Sequence, residues 1–207
     1  MSQLSLLGSV PGWRSFSLPD GDVRLLSAFL TGAEASTFFK CLRSEVPWRQ
    51  DTIKVYGKEH PLPRLQQWFG DAGLNYTWSG IRMVPLPWIP ALSEIRYRAE
   101  DAVKEKFNTV LLNLYRTGDD TVSWHSDDER ALGPTPVIAS VSLGAERDFI
   151  LRHRERDDVE EVKIALPHGS LLLMQGRTQA MWKHALPRRR GVTAERINLT
   201  FRRVADH

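Results

Sequence analysis

The sequence predicts an α+β protein in which helices come first and pack on the outside of an antiparallel β core. Two observations carry this expectation. Up to Phe107 the apolar residues recur mainly at three- and four-residue intervals, whereas after Asn108 the period falls to two. Short alternating segments then follow one another, separated by Gly-, Pro- and Asp-rich punctuation, the pattern of a sandwich or barrel.

Taken in order, residues 1–30 are punctuated by Gly, Pro and Ser and read as irregular, with Phe16, Val23, Leu25, Leu26, Phe29 and Leu30 docking on the core. Thr31 followed by Glu34 matches a capping box, so a helix is expected from there to about Ser44, before Pro47. In DTIKVYGKEH, Ile53 and Val55 alternate with polar residues before Gly57, which suits a strand entering a tight turn. Pro61 to Trp68 reads as a shorter helix or turn. Pro87 to Phe107 is the longest helical segment, with Ile89, Leu92, Ile95, Ala99, Ala102 and Val103 on its apolar face. Strands are expected at Thr109–Arg116, Thr121–His125, Val137–Leu143, Arg147–Arg152, Glu160–Leu166, Ser170–Met174 and Glu195–Val204.

Composition narrows the class. The 207 residues, 42% hydrophobic and 26% charged, suit one sizeable globular domain. The single cysteine, Cys41, rules out an intrachain disulfide and fits a reducing compartment. MSQLSLLGSVPGW lacks a basic segment followed by a long apolar one, and no run reaches the ~18 apolar residues of a membrane span, so a cytoplasmic protein without a membrane partner is expected. A net charge of +3 is only a weak pointer to a polyanion.

The chemistry concentrates in a few stretches. In ERINLTFRR, Ile197, Leu199 and Phe201 face one way, and Arg196, Asn198, Thr200 and Arg202 the other. In NLYR, Asn113 and Tyr115 likewise share a face. Such a strand can be an ordinary half-buried one, but two that line up amides, a phenol and guanidiniums can hold a small carboxylate. WHSDDE places His125, Asp127, Asp128 and Glu129 together, which requires either a solvated turn or a cation. His125 and Asp127 can face one cation, and His184, in MWKHAL just after an expected strand, is the remaining histidine placed to join them. Two histidines and a carboxylate with open positions opposite are the facial set of non-haem Fe(II) oxygenases; zinc can use the same ligand types for hydrolysis. The carboxylate-binding strands favour the oxygenase, because its cosubstrate is a dicarboxylate.

With these pieces in hand, NLYRTGDD, WHSDDE, ASVSLGAERDF, HGSLLLMQG and ERINLTFR together resemble the AlkB family of Fe(II)/2-oxoglutarate-dependent dealkylating dioxygenases, over roughly residues 50–204. The resemblance implies a double-stranded β-helix (jelly-roll) core at residues 108–204 and, at 1–107, an extension of helices and nucleotide-recognition loops. It implies Fe(II) on His125, Asp127 and His184, with O2 as co-reactant. It puts 2-oxoglutarate against Asn113, Tyr115, Arg196, Asn198, Thr200 and Arg202, with Arg196 on the distal carboxylate and Arg202 toward the metal.

On the substrate side, the resemblance implies a cationic methylated base, 1-methyladenine or 3-methylcytosine, in alkylated DNA, with RNA as the alternative partner. Asp128 and Glu129 would meet its exocyclic amine, and Tyr76, Thr77 and Trp78 would hold it, Trp78 stacking opposite His125. KVYGKEHPLPR resembles the finger of duplex-acting members, with DNA contacts expected from Val55, Tyr56, Gly57, Lys58 and Arg64: Tyr56 would fill the gap left by a flipped base, Gly57 would make the turn, and Lys58 and Arg64 would be available for phosphates. Basic residues are also grouped at Arg152, Arg154 and Arg156, at Arg188 to Arg190, and at Arg202 and Arg203; some of these are expected to track a phosphate backbone, the alternative for the first run, which alternates with Glu155, Asp157 and Asp158, being a solvated hairpin. A monomer is the simplest expectation. A damaged-DNA binding module without turnover, or a hydroxylase of protein or small molecules, are the rival classes.

Overall fold

The computed structural model describes residues 12–55, 58–74, 76–78 and 81–205, giving only the backbone course at 54, 55, 58, 76–78 and 81–83. The elements run β1 (Arg14–Phe16), β2 (Asp22–Leu26), α1 (Gly32–Glu45), β3 (Thr52–Val55), β4 (Lys58–Pro61), β5 (Leu65–Gly70), β6 (Tyr76–Trp78), β7 (Ile81–Met83) and α2 (Pro90–Val103). There follow β8 (Thr109–Tyr115), β9 (Val122–His125), β10 (Ile138–Gly144), β11 (Arg147–His153), β12 (Val162–Leu166) and β13 (Ser170–Gln175). The chain closes with α3 (Thr178–Met181), β14 (Trp182–Leu186) and β15 (Arg196–Arg202).

Two antiparallel sheets face each other. The larger has the order β1-β2-β13-β10-β15-β8-β5 and the smaller β12-β11-β14-β9; β3 pairs with β4 and β6 with β7. Alternation in the central strands separates two apolar layers. Val110, Leu112, Leu114, Val141, Leu199 and Phe201 project to the outer face, where α1 and α2 cover them through Phe38, Leu42, Leu92 and Ile95. Ile138, Leu172 and Met174 project inward against Phe149, Leu151, Ile164 and Trp182 of the smaller sheet. This is the jelly-roll core with helices outside it.

Local chemistry explains the helices. The Thr31 side chain accepts from Glu34 N while Glu34 Oε2 accepts from Thr31 N at 2.9 Å, so the expected capping box is present. α2 begins with Pro90 at its first turn and stops at Lys104 in the left-handed region.

The structure corrects three expectations. β1 and β2 are strands of the larger sheet, so part of the stretch read as irregular is laddered. Pro61–Trp68 is neither helix nor turn: β5 occupies Leu65–Gly70 and pairs with β8. α1 and α2 have 14 residues each, so neither is the longest. Three strands from before residue 108 therefore complete the same sheet as the later ones.

Candidate metal and cosubstrate site

The inner face of the larger sheet dictates the cosubstrate side. β15 pairs with β8 so that Arg196 lies opposite Tyr115, Asn198 opposite Asn113 and Thr200 opposite Leu111. Because alternate residues share a face, Arg196, Asn198, Thr200 and Arg202 all line one solvent-connected cavity of about 560 Å³, together with Asn113 and Tyr115. The period-two reading of ERINLTFRR is thus realised as a polar row between the sheets.

Arg196 is 2% exposed. Its Nη2 donates to Ser142 Oγ at 2.8 Å, while its buried Nε and Nη1 have no partner. Burial chiefly, and then the neighbouring Arg147, pull this guanidinium down to about 10 against the favourable Tyr115. A buried, still cationic guanidinium with two unmet donors demands an anion in the cavity. Asn198 is fixed by donating to Ser140 Oγ at 2.7 Å and accepting from Thr200 Oγ1 at 3.0 Å.

Loop packing behind this end is tight. Arg147, buried, donates to the carbonyls of Thr117, Asp120 and Pro187, joining the β8–β9 and β14–β15 connections. Gly118 is required where those connections meet, since a Cβ there would fall 1.9 Å from Arg189 O.

At the other end of the cavity, β9 and β14 pair with His125 directly opposite His184. Their Nε2 atoms are 3.1 Å apart. His125 Nδ1 donates to Ser123 O at 2.8 Å, because a carbonyl only accepts, which leaves Nε2 as the ring nitrogen available to a metal. The His184 ring stacks on Phe149 at 5.1 Å. His184 is not beyond a strand, as the sequence suggested, but inside β14.

Asp127 lies just past β9, 3% exposed. Its Oδ1 pairs with Arg202 Nη2, and its Oδ2 is 3.9 Å from His184 Nε2. Burial pushes the Asp127 carboxyl up, but Arg202, His184 and His125 outweigh it and hold the group below the ordinary carboxylate range. Burial chiefly, with His125 and Arg202 against Asp127, brings the His184 imidazole down to about 3. An ionised carboxylate and a neutral imidazole are the protonation states that bind metals.

One ligand atom from each of His125, Asp127 and His184 lies within 4.8 Å of the others. Two nitrogens at right angles on a metal ~2.1 Å away would themselves be about 3 Å apart, close to the spacing of this histidine pair. The donor set fits a divalent transition metal, and the unmet Arg196 donors across the cavity fit a dicarboxylate reaching toward it.

The outer residues fall less uniformly. Asp128 is exposed and paired with Arg154 at 2.7 Å. Glu129 is half-buried, with Oε2 unpartnered. Arg64, expected on phosphates, is 8% exposed, lines the cavity and donates from Nε to Asn113 Oδ1 at 2.7 Å. Its Nη1 also donates to Thr121 O at 3.3 Å. Of the arginine clusters, Arg156 pairs with Asp158, Arg188 with Asp119, and Arg152 lies over the Trp124 ring. Val55 and Lys58 face each other across the β3–β4 pair, and Tyr76, Thr77 and Trp78 form β6. Tyr56 and Gly57 lie outside the described residues.

Sequence reasoning missed Arg64, Ser140, Ser142 and Phe149 as parts of this site. Ser140 and Ser142 carry the same period-two signal on β10 as Arg196 and Asn198 do on β15, and could have been found by it.

Comparison with known proteins agrees with this geometry. The model of the 2OG-Fe(II) oxygenase superfamily matches residues 22–202. DNA oxidative demethylase ALKBH2 of Mus musculus is 46% identical over 83% of this chain and 76% of its own length. The Homo sapiens protein of that name is 42% identical over 94% of this chain and 77% of its own. Alpha-ketoglutarate-dependent dioxygenase alkB homolog 3 of Mus musculus is 44% identical, over 88% and 66%. Among solved structures, OsALKBH1 superposes with a TM-score of 0.65 at 19% identity, covering 91% of this chain and 100% of that one, a likeness of fold.

Proposed function

Because this chain belongs to the 2OG-Fe(II) oxygenase superfamily, we propose that it is a DNA oxidative demethylase that repairs N-alkylated bases, 1-methyladenine and 3-methylcytosine, in DNA. The observation that carries this reading is the pairing of two unmet ends of one cavity: the convergent His125, Asp127 and His184, and the buried Arg196 with two free donors. The ALKBH2 and ALKBH3 relatives supply the substrate class.

His125, Asp127 and His184 hold Fe(II), which with 2-oxoglutarate and O2 supplies oxidation of the N-methyl carbon, yielding formaldehyde, succinate and CO2. Arg196 and Tyr115 bind the distal carboxylate, and Ser142 keeps the guanidinium aimed into the cavity. Arg64 occupies Asn113 Oδ1 and so leaves the amide N–H2 of Asn113 for the cosubstrate. Arg202 neutralises Asp127 and directs that carboxylate to the metal.

Asp128, exposed and next in the chain to Asp127, meets the cationic base; an acidic neighbour favours the methylated form over its neutral parent. Glu129 and the β6 residues Tyr76, Thr77 and Trp78 complete the base pocket. The β3–β4 pair serves as the DNA finger, and Val55, Tyr56, Gly57 and Lys58 are assigned to DNA contact. The protein works as a monomer on DNA. No described helix is long and apolar enough to cross a membrane.

The test is formaldehyde release from matched DNA and RNA oligonucleotides carrying 1-methyladenine, with 2-oxoglutarate present or omitted. Release from DNA that needs 2-oxoglutarate is expected. Release from RNA alone would move the substrate assignment to RNA.

A further inference from the structure

Among the described residues, one buried amide touches the proposed metal centre without belonging to it. α3 is a single turn, and its Thr178 and Gln179 are each 1% exposed. Thr178 Oγ1 accepts from Asp22 N at 2.9 Å and donates to Gln175 O at 2.6 Å, fastening the turn to β2 of the larger sheet. From that anchored position Gln179 Oε1 accepts from the backbone N–H of Asp127 at 2.9 Å. Its Nε2 has only a 3.5 Å contact with Met174 Sδ.

The same turn and the first residue of β14 also hold both neighbours of Asp127. Ser126 Oγ donates to Trp182 O at 2.9 Å. Arg154 Nη1 bridges Gln179 O at 3.4 Å and Asp128 Oδ2 at 2.7 Å. Three consecutive residues of WHSDDE are therefore tied to residues 179–182. This matters because His125 and His184 are registered by strand pairing, whereas Asp127 lies beyond the end of β9 and has no ladder to fix it. A metal carboxylate without such support can swing by more than its binding geometry tolerates.

We propose that Gln179 is a positioning residue: by accepting from Asp127 N–H, its side chain fixes the metal carboxylate relative to the histidine pair. The inference rests on the assignment of His125, Asp127 and His184 as ligands. Its chemistry is a neutral acceptor held rigidly behind a ligand, the kind of outer partner whose loss weakens metal binding about 10–100-fold.

The experiment is calorimetric titration of the full metal-free protein with Mn(II), beside the thermal midpoint of the same metal-free protein. Gln179→Met matches the side chain in length but offers no oxygen, and is expected to weaken Mn(II) binding about 10–100-fold. Gln179→Asn, whose oxygen falls one methylene short, is read in parallel and is expected to lose affinity too, so the test does not hang on one variant folding. Gln179→Glu keeps an oxygen at the same reach and is expected to restore binding. A lowered midpoint with Mn(II) affinity unchanged in the Met and Asn variants, or no restoration by Glu, would overturn the proposal. Asp127→Ala separates the two layers: if it binds Mn(II) as the native chain does, the ligand assignment itself fails. If it loses Mn(II) while Gln179→Met and Gln179→Asn keep it, only the positioning role falls.

Discussion

His125 and His184 sit directly opposite each other on β9 and β14, and that single register brings their Nε2 atoms to 3.1 Å. Backbone pairing thus fixes the histidine half of the metal set before any ion arrives, and the carboxylate half depends on Arg202 and the loop after β9.

His125→Ala should abolish Mn(II) binding and formaldehyde release while leaving a folded protein. His125 is exposed and its loss removes one hydrogen bond to Ser123 O, so the stability cost is about 1 kcal/mol. Turnover by this variant, measured beside its denaturant midpoint, would remove His125 from the ligand set.

Arg196→Met should cripple cosubstrate binding. Truncating one partner of a buried charged pair costs about 2–5 kcal/mol, so the 2-oxoglutarate Kd should rise at least about 30-fold. Calorimetry with the Mn(II)-loaded protein reads this directly, and an unchanged Kd would place the dicarboxylate elsewhere.

Arg64 separates a cavity role from a DNA role. Since its Nε is committed to Asn113, Arg64→Ala should raise the 2-oxoglutarate Kd while leaving the salt dependence of DNA binding unchanged. A phosphate contact would instead reduce the slope of log K against log salt by about 1.

Acid stability should report the Asp120 carboxyl behind the cosubstrate pocket. Burial raises it, but hydrogen bonds from the Arg116 side chain and N–H, with the charges of Arg116 and Arg147, bring it below its ordinary value of 3.8. A depressed folded value means that its stabilisation is fully present above the unfolded value and is lost as pH falls through the folded one. Asp120→Asn should therefore lower stability by about 1–3 kcal/mol at neutral pH, with the gap closing in acid. A gap that stays constant across urea melts at neutral and acid pH would contradict this.

Strand alternation made much of the molecule legible. β8, β10, β11, β13 and β15 follow the expected spans within one or two residues: β8, β10, β11 and β15 carry polar or half-buried residues on one face, whereas β13 is a continuous apolar run, buried on both faces and bounded by Gly169 and Gly176. β5 was not legible: in LQQWFG the residues Gln66 and Gln67 are both buried, each satisfied by a hydrogen bond, so alternation disappears. β14 fails for a similar reason, since WKHAL is buried on both faces except at Lys183. That is why His184 was expected beyond a strand. The place of Arg64 in the cavity was not legible because PLPR reads as an open loop, whereas its side chain turns inward to Asn113. Gln179 carries no motif at all; only the fold brings it to Asp127, 52 residues away.

The central claim is that one cavity couples 2-oxoglutarate consumption to removal of a methyl group from a base in DNA. The most direct measurement is the ratio of succinate to formaldehyde released from a DNA duplex containing one 1-methyladenine, with Fe(II), 2-oxoglutarate and the lesion omitted in turn. The account predicts equal release of the two products, abolished by each omission and by Asp127→Ala. Succinate formed without formaldehyde when all components are present, or neither product at all, would contradict it.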